Sequence, residues 1–199
     1  RPSIFTPNML DDLKADTATL TGLLNEFGAW TADADSKLAE ILKLLTETHP
    51  DEKVLIFTEY KDTANYVAEA IKAAGVDRVG IASGDTNNPT DVARRFAPLS
   101  NMLGSATLTD IELNKIIDPA AEYRVLVATD VLSEGQNLQD AHIVVNYDLP
   151  WAIIRLIQRA GRVDRVGQKS DEVIIYSLWH DGVEQVLNLR QRIADRLHA

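Results

Sequence analysis

The sequence predicts an α/β fold: an open, mainly parallel β-sheet with helices on both faces, preceded by an N-terminal helical segment. Three observations lead there. After Pro50, short apolar runs are each followed by an amphipathic stretch, the alternation that βαβ units produce. Polar or glycine-containing loops follow the apolar runs at 58–61, 83–85, 129–135 and 148–151. Before Pro50, leucines recur at helical spacing.

The elements follow in chain order. From Thr6-Pro7 to Phe27 a helix is expected on Leu10, Leu13, Leu20, Leu23 and Leu24, with Gly28 as its stop. Asp35 or Ser36 caps a second helix, whose Leu38, Ile41, Leu42 and Leu45 fall at i, i+3, i+4 and i+7. These two helices make residues 1–50 a leading segment that packs on the main domain, 51–199. The first strand is Val54-Leu55-Ile56-Phe57, and its helix runs through Ala64, Val67, Ala68 and Ile71 to Gly75. Further strands are expected at 79–81, 125–128, 143–147 and 173–178, a helix at 153–163 and a last helix at 183–197. The stretch 98–122 is longer than an ordinary connection and reads as an insertion with a short helix near 110–117. Right-handed crossovers place the helices on the faces of the sheet, and ligands of such sheets sit outside the carboxyl ends of the strands. The four loops above are therefore the candidate site.

Composition narrows the chemistry. The chain has 199 residues with 45% hydrophobic content, enough for one globular core. No apolar run approaches eighteen residues and no secretory leader is visible, so a soluble, cytoplasmic chain is expected. There is no cysteine, and His49, His142, His180 and His198 show no ligand spacing, so neither a disulfide framework nor a metal site is expected. A net charge of −10 opposes nucleic-acid binding in general. Local charge runs the other way: Arg155, Arg159, Arg162, Arg165 and Lys169 face Asp164 alone, a concentration that suits an anionic partner.

A complete nucleotide hydrolase of this fold needs a loop ending in Gly-Lys-Ser/Thr and an acidic pair at a strand end. None of the ten glycines precedes a lysine. Asp51-Glu52 comes before a strand and Asp11-Asp12 lies in a leucine-patterned helix, so the chain is not expected to cleave ATP unaided. Arg1 in place of methionine suggests a segment of a longer polypeptide.

The chemistry-bearing string is Gln158-Arg159-Ala160-Gly161-Arg162-Val163-Asp164-Arg165-Val166-Gly167-Gln168. On a continuous helix Gln158, Arg162 and Arg165 share one face, while Ile154, Ile157 and Gly161 form a packing face. Guanidinium groups stay charged at working pH, so Arg162 and Arg165 suit charge stabilisation in phosphoryl transfer, where an arginine finger contributes about 10³- to 10⁵-fold in rate.

This string resembles motif VI of superfamily 2 helicases. Upstream, Val125-Leu-Val-Ala-Thr-Asp-Val-Leu-Ser-Glu-Gly-Gln-Asn-Leu-Gln139 resembles their motif V, and Val54-Leu-Ile-Phe-Thr-Glu-Tyr60 resembles motif IV, in the expected order. Gly135-Gln136-Asn137-Leu138 and Asn146-Tyr147-Asp148-Leu149-Pro150-Trp151 look like the remodeller-type (SWI/SNF-like) branch of bacterial double-stranded DNA translocases. Ala152-Ile153 departs from that branch, where many members have Asn-Pro.

The resemblance implies a C-terminal RecA-like lobe. Arg162 and Arg165 would be catalytic, reaching the γ-phosphate of ATP held with Mg mainly by the N-terminal RecA-like lobe of the same polypeptide. Gln158, Gly135 and Asn137 would border the nucleotide. Thr129 would touch a nucleic-acid phosphate through its hydroxyl, with Thr58, Tyr60, Lys61, Ser83 and Gly84 as further contacts to nucleic acid, double-stranded DNA in this branch. Trp151 reads as a wedge between strand and helix. A strand-separating RNA or DNA helicase and a catalytically inactive interaction module remain open as alternatives.

Overall fold

Five runs of four residues form the sheet, and their composition explains their place in it. The computed structural model describes residues 8–28, 31–102, 120–133, 136–150 and 152–178. The helices expected at 110–117 and 183–197, with Gly135 and Trp151, lie outside them. β1 (Val54–Phe57), β2 (Val79–Ala82), β3 (Val125–Ala128), β4 (Ile143–Asn146) and β5 (Ile174–Ser177) pair in the order β2-β3-β1-β4-β5, every pairing parallel. β1 lies at the centre, with Val54 opposite Val125 on one side and Ile143 on the other. Its four residues are 0% exposed, which is why the run is apolar throughout rather than alternating.

Alternate side chains of β1 enter two cores. Val54 and Ile56 join Val67, Ile71, Ile41 and Leu45 on one face of the sheet. Leu55 and Phe57 join Phe96, Leu132, Leu138 and Val163 on the other. Fully burying one such side chain stabilises the fold by about 1.5–3 kcal/mol. The first core rests on α2 (Ser36–Lys43), which widens into a π-helical turn at Leu44–Thr48, and on α3 (Lys61–Ala73). The second takes in Ala93 and Phe96 of α4 (Pro89–Phe96).

The chain divides into two compact units, Arg1–Ser36 and Lys37–Ala199. The boundary thus falls earlier than the expected one at residue 50, because Ile41 and Leu45 are 1% exposed within the sheet unit's own core. Arg124 ties this helix end to β3, donating from Nη1 to the His49 carbonyl at 3.1 Å and from Nη2 to that of Leu45 at 3.4 Å. Burial pushes its pKa down, Arg78 adding to the effect. In the first unit α1 spans Met9–Phe27, with Leu10, Leu13, Leu20, Leu23 and Leu24 all exposed. No described helix is long and apolar enough to cross a membrane.

Two helices differ from expectation. α4 is missing from the sequence reading, although Asn88 caps it, accepting a hydrogen bond from the Asp91 amide at 3.1 Å, and Pro89 opens its first turn. It is followed by α5 (Pro98–Met102), the start of the expected insertion. α6 (Ile153–Ala160) is shorter than expected. Beyond Ala160 the chain continues as separate turns, closed by Arg162 N–H to Arg159 O and Val163 N–H to Ala160 O, both 3.1 Å. Gln158, Arg162 and Arg165 therefore do not share one helical face. Ile154 and Ile157 are 51% and 42% exposed, so the expected packing face is not the buried one; Arg159 and Val163, both 0% exposed, occupy that place.

Gly80 in β2 marks a close approach. A Cβ there would stand 2.6–2.8 Å from three ring atoms of Tyr123. Gly80→Ala is expected to destabilise the chain by about 1–3 kcal/mol through this overlap. A urea unfolding midpoint equal to or above that of the parent would contradict the packing described.

Candidate functional site at the strand ends

The register carries the ladder one residue past each strand, so neighbouring carboxyl ends meet at the same level. Thr58 N–H donates to Ala128 O at 3.0 Å, Thr129 N–H to Ala82 O at 2.8 Å and Tyr147 N–H to Phe57 O at 2.9 Å. Thr58, Ser83, Thr129 and Asp148, expected to belong to one site, are thereby brought to one edge of the sheet.

Their side chains are not equally available. Thr58 is 0% exposed and its hydroxyl donates to the Asp148 carboxylate. It braces the site from inside, which corrects its expected place on a nucleic-acid surface. Ser83 is buried too, its amide bonded to the Thr86 hydroxyl at 2.8 Å. Thr129 is 8% exposed, and its hydroxyl makes no hydrogen bond among the described residues. Tyr60 is 67% exposed at the start of α3, and Gly84 is open, with nothing within 4 Å of a Cβ placed on it. Lys61 pairs with Asp85 across two loops. That hydrogen bond, with the Asp85 charge, raises the lysine pKa above its ordinary value.

The expected basic patch is partly consumed. Arg159 is 0% exposed, and its Nε donates to Asp130 Oδ1 at 2.8 Å. Nη1 donates to Asn146 Oδ1 and to the Asp148 carbonyl, both at 3.2 Å, and the guanidinium carbon stands 5.3 Å from the centre of the Phe57 ring. Arg155, half exposed, reaches Asp130 at 3.3 Å and Glu59 at 3.5 Å. Asp148 accepts the Glu59 amide at 2.9 and 3.1 Å as well as the Thr58 hydroxyl. The sequence reading placed Asp130 and Asp148 in strand-end loops and Asn146 in a motif, but gave none of the three a role in the site. The available signal was that Arg159 lies four residues before Val163, on the helix face turned to the sheet.

The remaining arginines stand on the turns after α6. Arg165 is half-buried, its Nε donating to Gly161 O at 3.0 Å and its Nη1 to Asn137 Oδ1 at 2.6 Å. Its Nη2 makes no hydrogen bond among the described residues. Asn137 thus reaches the expected site, but by holding an arginine. Its carbonyl accepts from Asn101 Nδ2 of α5 at 2.7 Å, tying the start of the insertion to the same loop. Arg162 is half-buried, with Nε and Nη1 covered, and Gln158 is exposed on the last turn of α6. Among the described residues no group of His, Cys, Asp and Glu is arranged for a metal ion. A cavity of about 280 Å³ lies elsewhere, lined by Asp140, His142, Gln168 and Lys169 among others, on the side where β4 begins.

The sequence profile of the helicase conserved C-terminal domain matches residues 36–167, from the start of α2 through both arginine turns. The chain belongs to that family. An uncharacterized ATP-dependent helicase of Bacillus subtilis, YqhH, is 32% identical over 176 residues, covering 87% of this chain and 27% of the relative. DEAD-box ATP-dependent RNA helicase 35B of Oryza sativa is 31% identical, covering 67% of this chain and 18% of the relative. This helicase C-terminal domain therefore spans about a quarter of the first relative's length and less of the second. Among solved structures, the C-terminal part of the Fun30 ATPase domain shares the fold at a TM-score of 0.51 and 19% identity, over 84% of this chain and 49% of that one. Dbp5 of S. cerevisiae, bound to RNA and ADP BeF3, aligns at a TM-score of 0.52 and 25% identity, over 79% of this chain and 36% of that one.

In this helicase domain the arginine turns are held to the sheet by Gln168. Its Nε2 donates to Ala141 O and Val163 O, both at 2.9 Å, and its Oε1 accepts the Ser170 amide at 2.9 Å. Gln168→Ala removes all three bonds at once and is expected to cost about 1–3 kcal/mol. Amide hydrogen exchange should speed up around 161–168 before the sheet is affected. Unchanged protection there would show that the turns are ordered by something else.

Proposed function

We propose that this domain is the charge-supplying half of an ATP-dependent nucleic-acid translocase. Arg162 and Arg165 act as its arginine fingers toward ATP and Mg held mainly by an N-terminal RecA-like lobe of the same polypeptide. The observation that carries the reading is Arg165, pinned at Nε and Nη1 while Nη2 makes no hydrogen bond among the described residues. A guanidinium fixed at two nitrogens has already lost its rotamer freedom, so an anion meeting the third pays little for ordering it. The residues present fit one side of a triphosphate: cations on turns, with no phosphate loop and no described metal-binding cluster beside them.

ATP would supply the phosphoanhydride bond whose cleavage drives movement. This chain's residues hold and orient. Gln158, exposed on the last turn of α6, and the loop containing Gly135 and Asn137 border the nucleotide, and Asn137 sets the direction of Arg165. The Thr129 hydroxyl, with Tyr60, Lys61 and Gly84, offers a backbone grip that takes no account of base sequence. Thr58 and Ser83 support that surface from beneath.

The Gly135-Gln136-Asn137-Leu138 string and its remodeller-type likeness support double-stranded DNA as the track. The name of the rice relative supports RNA as the second reading. On the full-length polypeptide, triplex displacement without strand separation supports the first and duplex unwinding the second.

Arg165→Ala in that polypeptide is expected to lower nucleic-acid-stimulated ATP hydrolysis by about 10³- to 10⁵-fold, the usual weight of an arginine finger. Folding stability should change by no more than about 2 kcal/mol, since two hydrogen bonds are lost. Steady-state turnover near that of the parent would remove the finger assignment.

A further inference from the structure

We infer, on the strength of the motor reading above, that Arg159 is a positioning residue through which the nucleic-acid-facing strand ends and the finger turns sense each other. The guanidinium sits at a point where those parts meet. It lies on α6, two residues before the turns that carry Arg162 and Arg165 begin. Its Nε and Nη2 grip Asp130, at 2.8 and 3.4 Å, immediately after Thr129 at the end of β3. Its Nη1 holds Asn146, the last residue of β4, and the Asp148 carbonyl beyond it. Asp148 in turn accepts the Thr58 hydroxyl and the Glu59 amide at the end of β1. Three strand ends are thus joined to one helix by one cation and the carboxylates around it.

Burial gives this linkage its force. Arg159 is 0% exposed, so its charge cannot exchange protein partners for water when the site is disturbed. A shift of Thr129 or Glu59 on meeting a phosphate backbone moves Asp130 or Asp148, and α6 must follow or leave a buried charge with poor partners. Arg155, one turn earlier on the same helix and bonded to both Asp130 and Glu59, runs parallel to it nearer the surface. A lysine cannot reproduce the arrangement. One ammonium nitrogen replaces a planar fork whose Nε and Nη2 hold Asp130 while Nη1 holds Asn146 and the Asp148 carbonyl.

Arg159 is 0% exposed and offers no surface to nucleotide or nucleic acid, so its loss should show as lost coupling. The test uses the full-length polypeptide and ATP hydrolysis measured with and without duplex DNA, for Arg159→Gln, Arg159→Lys and Asp130→Asn, with Arg165→Ala alongside. Arg159→Gln is expected to lower the ratio of stimulated to unstimulated rate at least tenfold, within the about 5- to 150-fold span of ordinary site-to-site coupling. Its unstimulated rate should stay within about threefold of the parent. Asp130→Asn should move the ratio the same way, and Arg159→Lys, which keeps the buried charge, should give an intermediate ratio. The double variant Arg159→Gln with Asp130→Asn should lower it no further than the first alone, as two members of one linkage do.

An unchanged ratio in folded Arg159→Gln overturns the inference. So does an equal fall of both rates in step with the folded fraction measured by circular dichroism, since that is what a merely structural residue gives. Should Arg159→Gln fail to fold, Arg159→Lys decides, and a parental ratio there overturns the inference equally. Normal turnover in Arg165→Ala removes the finger reading instead and leaves the Arg159 result to be read by itself. A parent polypeptide that hydrolyses no ATP removes both.

Discussion

The site depends on a charge placed where charge is expensive. Taking a guanidinium out of water costs several kcal/mol even after relaxation, and only well-placed partners offset it. Arg159 has them: a carboxylate gripped by two of its nitrogens, a side-chain amide oxygen, a backbone carbonyl and the face of Phe57. These partners come from three strand ends, those of β1, β3 and β4, or the loops just after them. The requirement to satisfy one buried cation therefore sets where β1, β3 and β4 stop relative to one another and how α6 approaches the sheet. Phe57 belongs to the central strand, so the polar cluster stands directly against the apolar core it interrupts.

Much of the fold could be read from residue pattern because its strands are short, continuous and buried. Val54–Phe57 and Val125–Ala128 stand where expected, β2 and β4 differ by one residue at one end, and β5 by one residue at each end. α4 escaped because eight residues carry too few apolar positions to show a period, although Asn88 and Pro89 announced its start. The length of α6 was misjudged because periodicity cannot see where backbone hydrogen bonding changes. Arg162 and Val163 fit a helical wheel, yet their amides bond three residues back, to Arg159 and Ala160. The site was legible in its position and only partly in its contacts. Strand-end loops were identified by topology, but which polar group is inward is a three-dimensional matter. Thr58 and Arg159 were read as surface groups and are fully buried; Asp148 and Asp130, given no such role in the sequence reading, are their hydrogen-bond partners.

Two styles of arginine coexist within seven residues. Arg159 is satisfied on every side and holds the framework. Arg165 is restrained at two of its three nitrogens, by Gly161 and Asn137. Separate turns, rather than a continued helix, make that division possible. A helix would carry Arg162 and Arg165 on at a fixed 100° per residue, whereas each turn sets its own direction and can be pinned by one side chain such as Asn137 or Gln168. The acidic balance of the whole chain fits the same division, since its cations are concentrated and several are already matched internally.

The pairing of Lys61 with Asp85 bears on how the surface would respond to ionic strength. A lysine that waits in water carries a cloud of mobile anions, and a phosphate that docks on it displaces ions into the bulk. Here the counter-charge belongs to the chain itself, so a phosphate docking as proposed would trade places with a tethered carboxylate and liberate fewer ions. If Lys61 meets a phosphate as proposed, affinity at this position would fall less steeply with added salt than a count of basic residues implies.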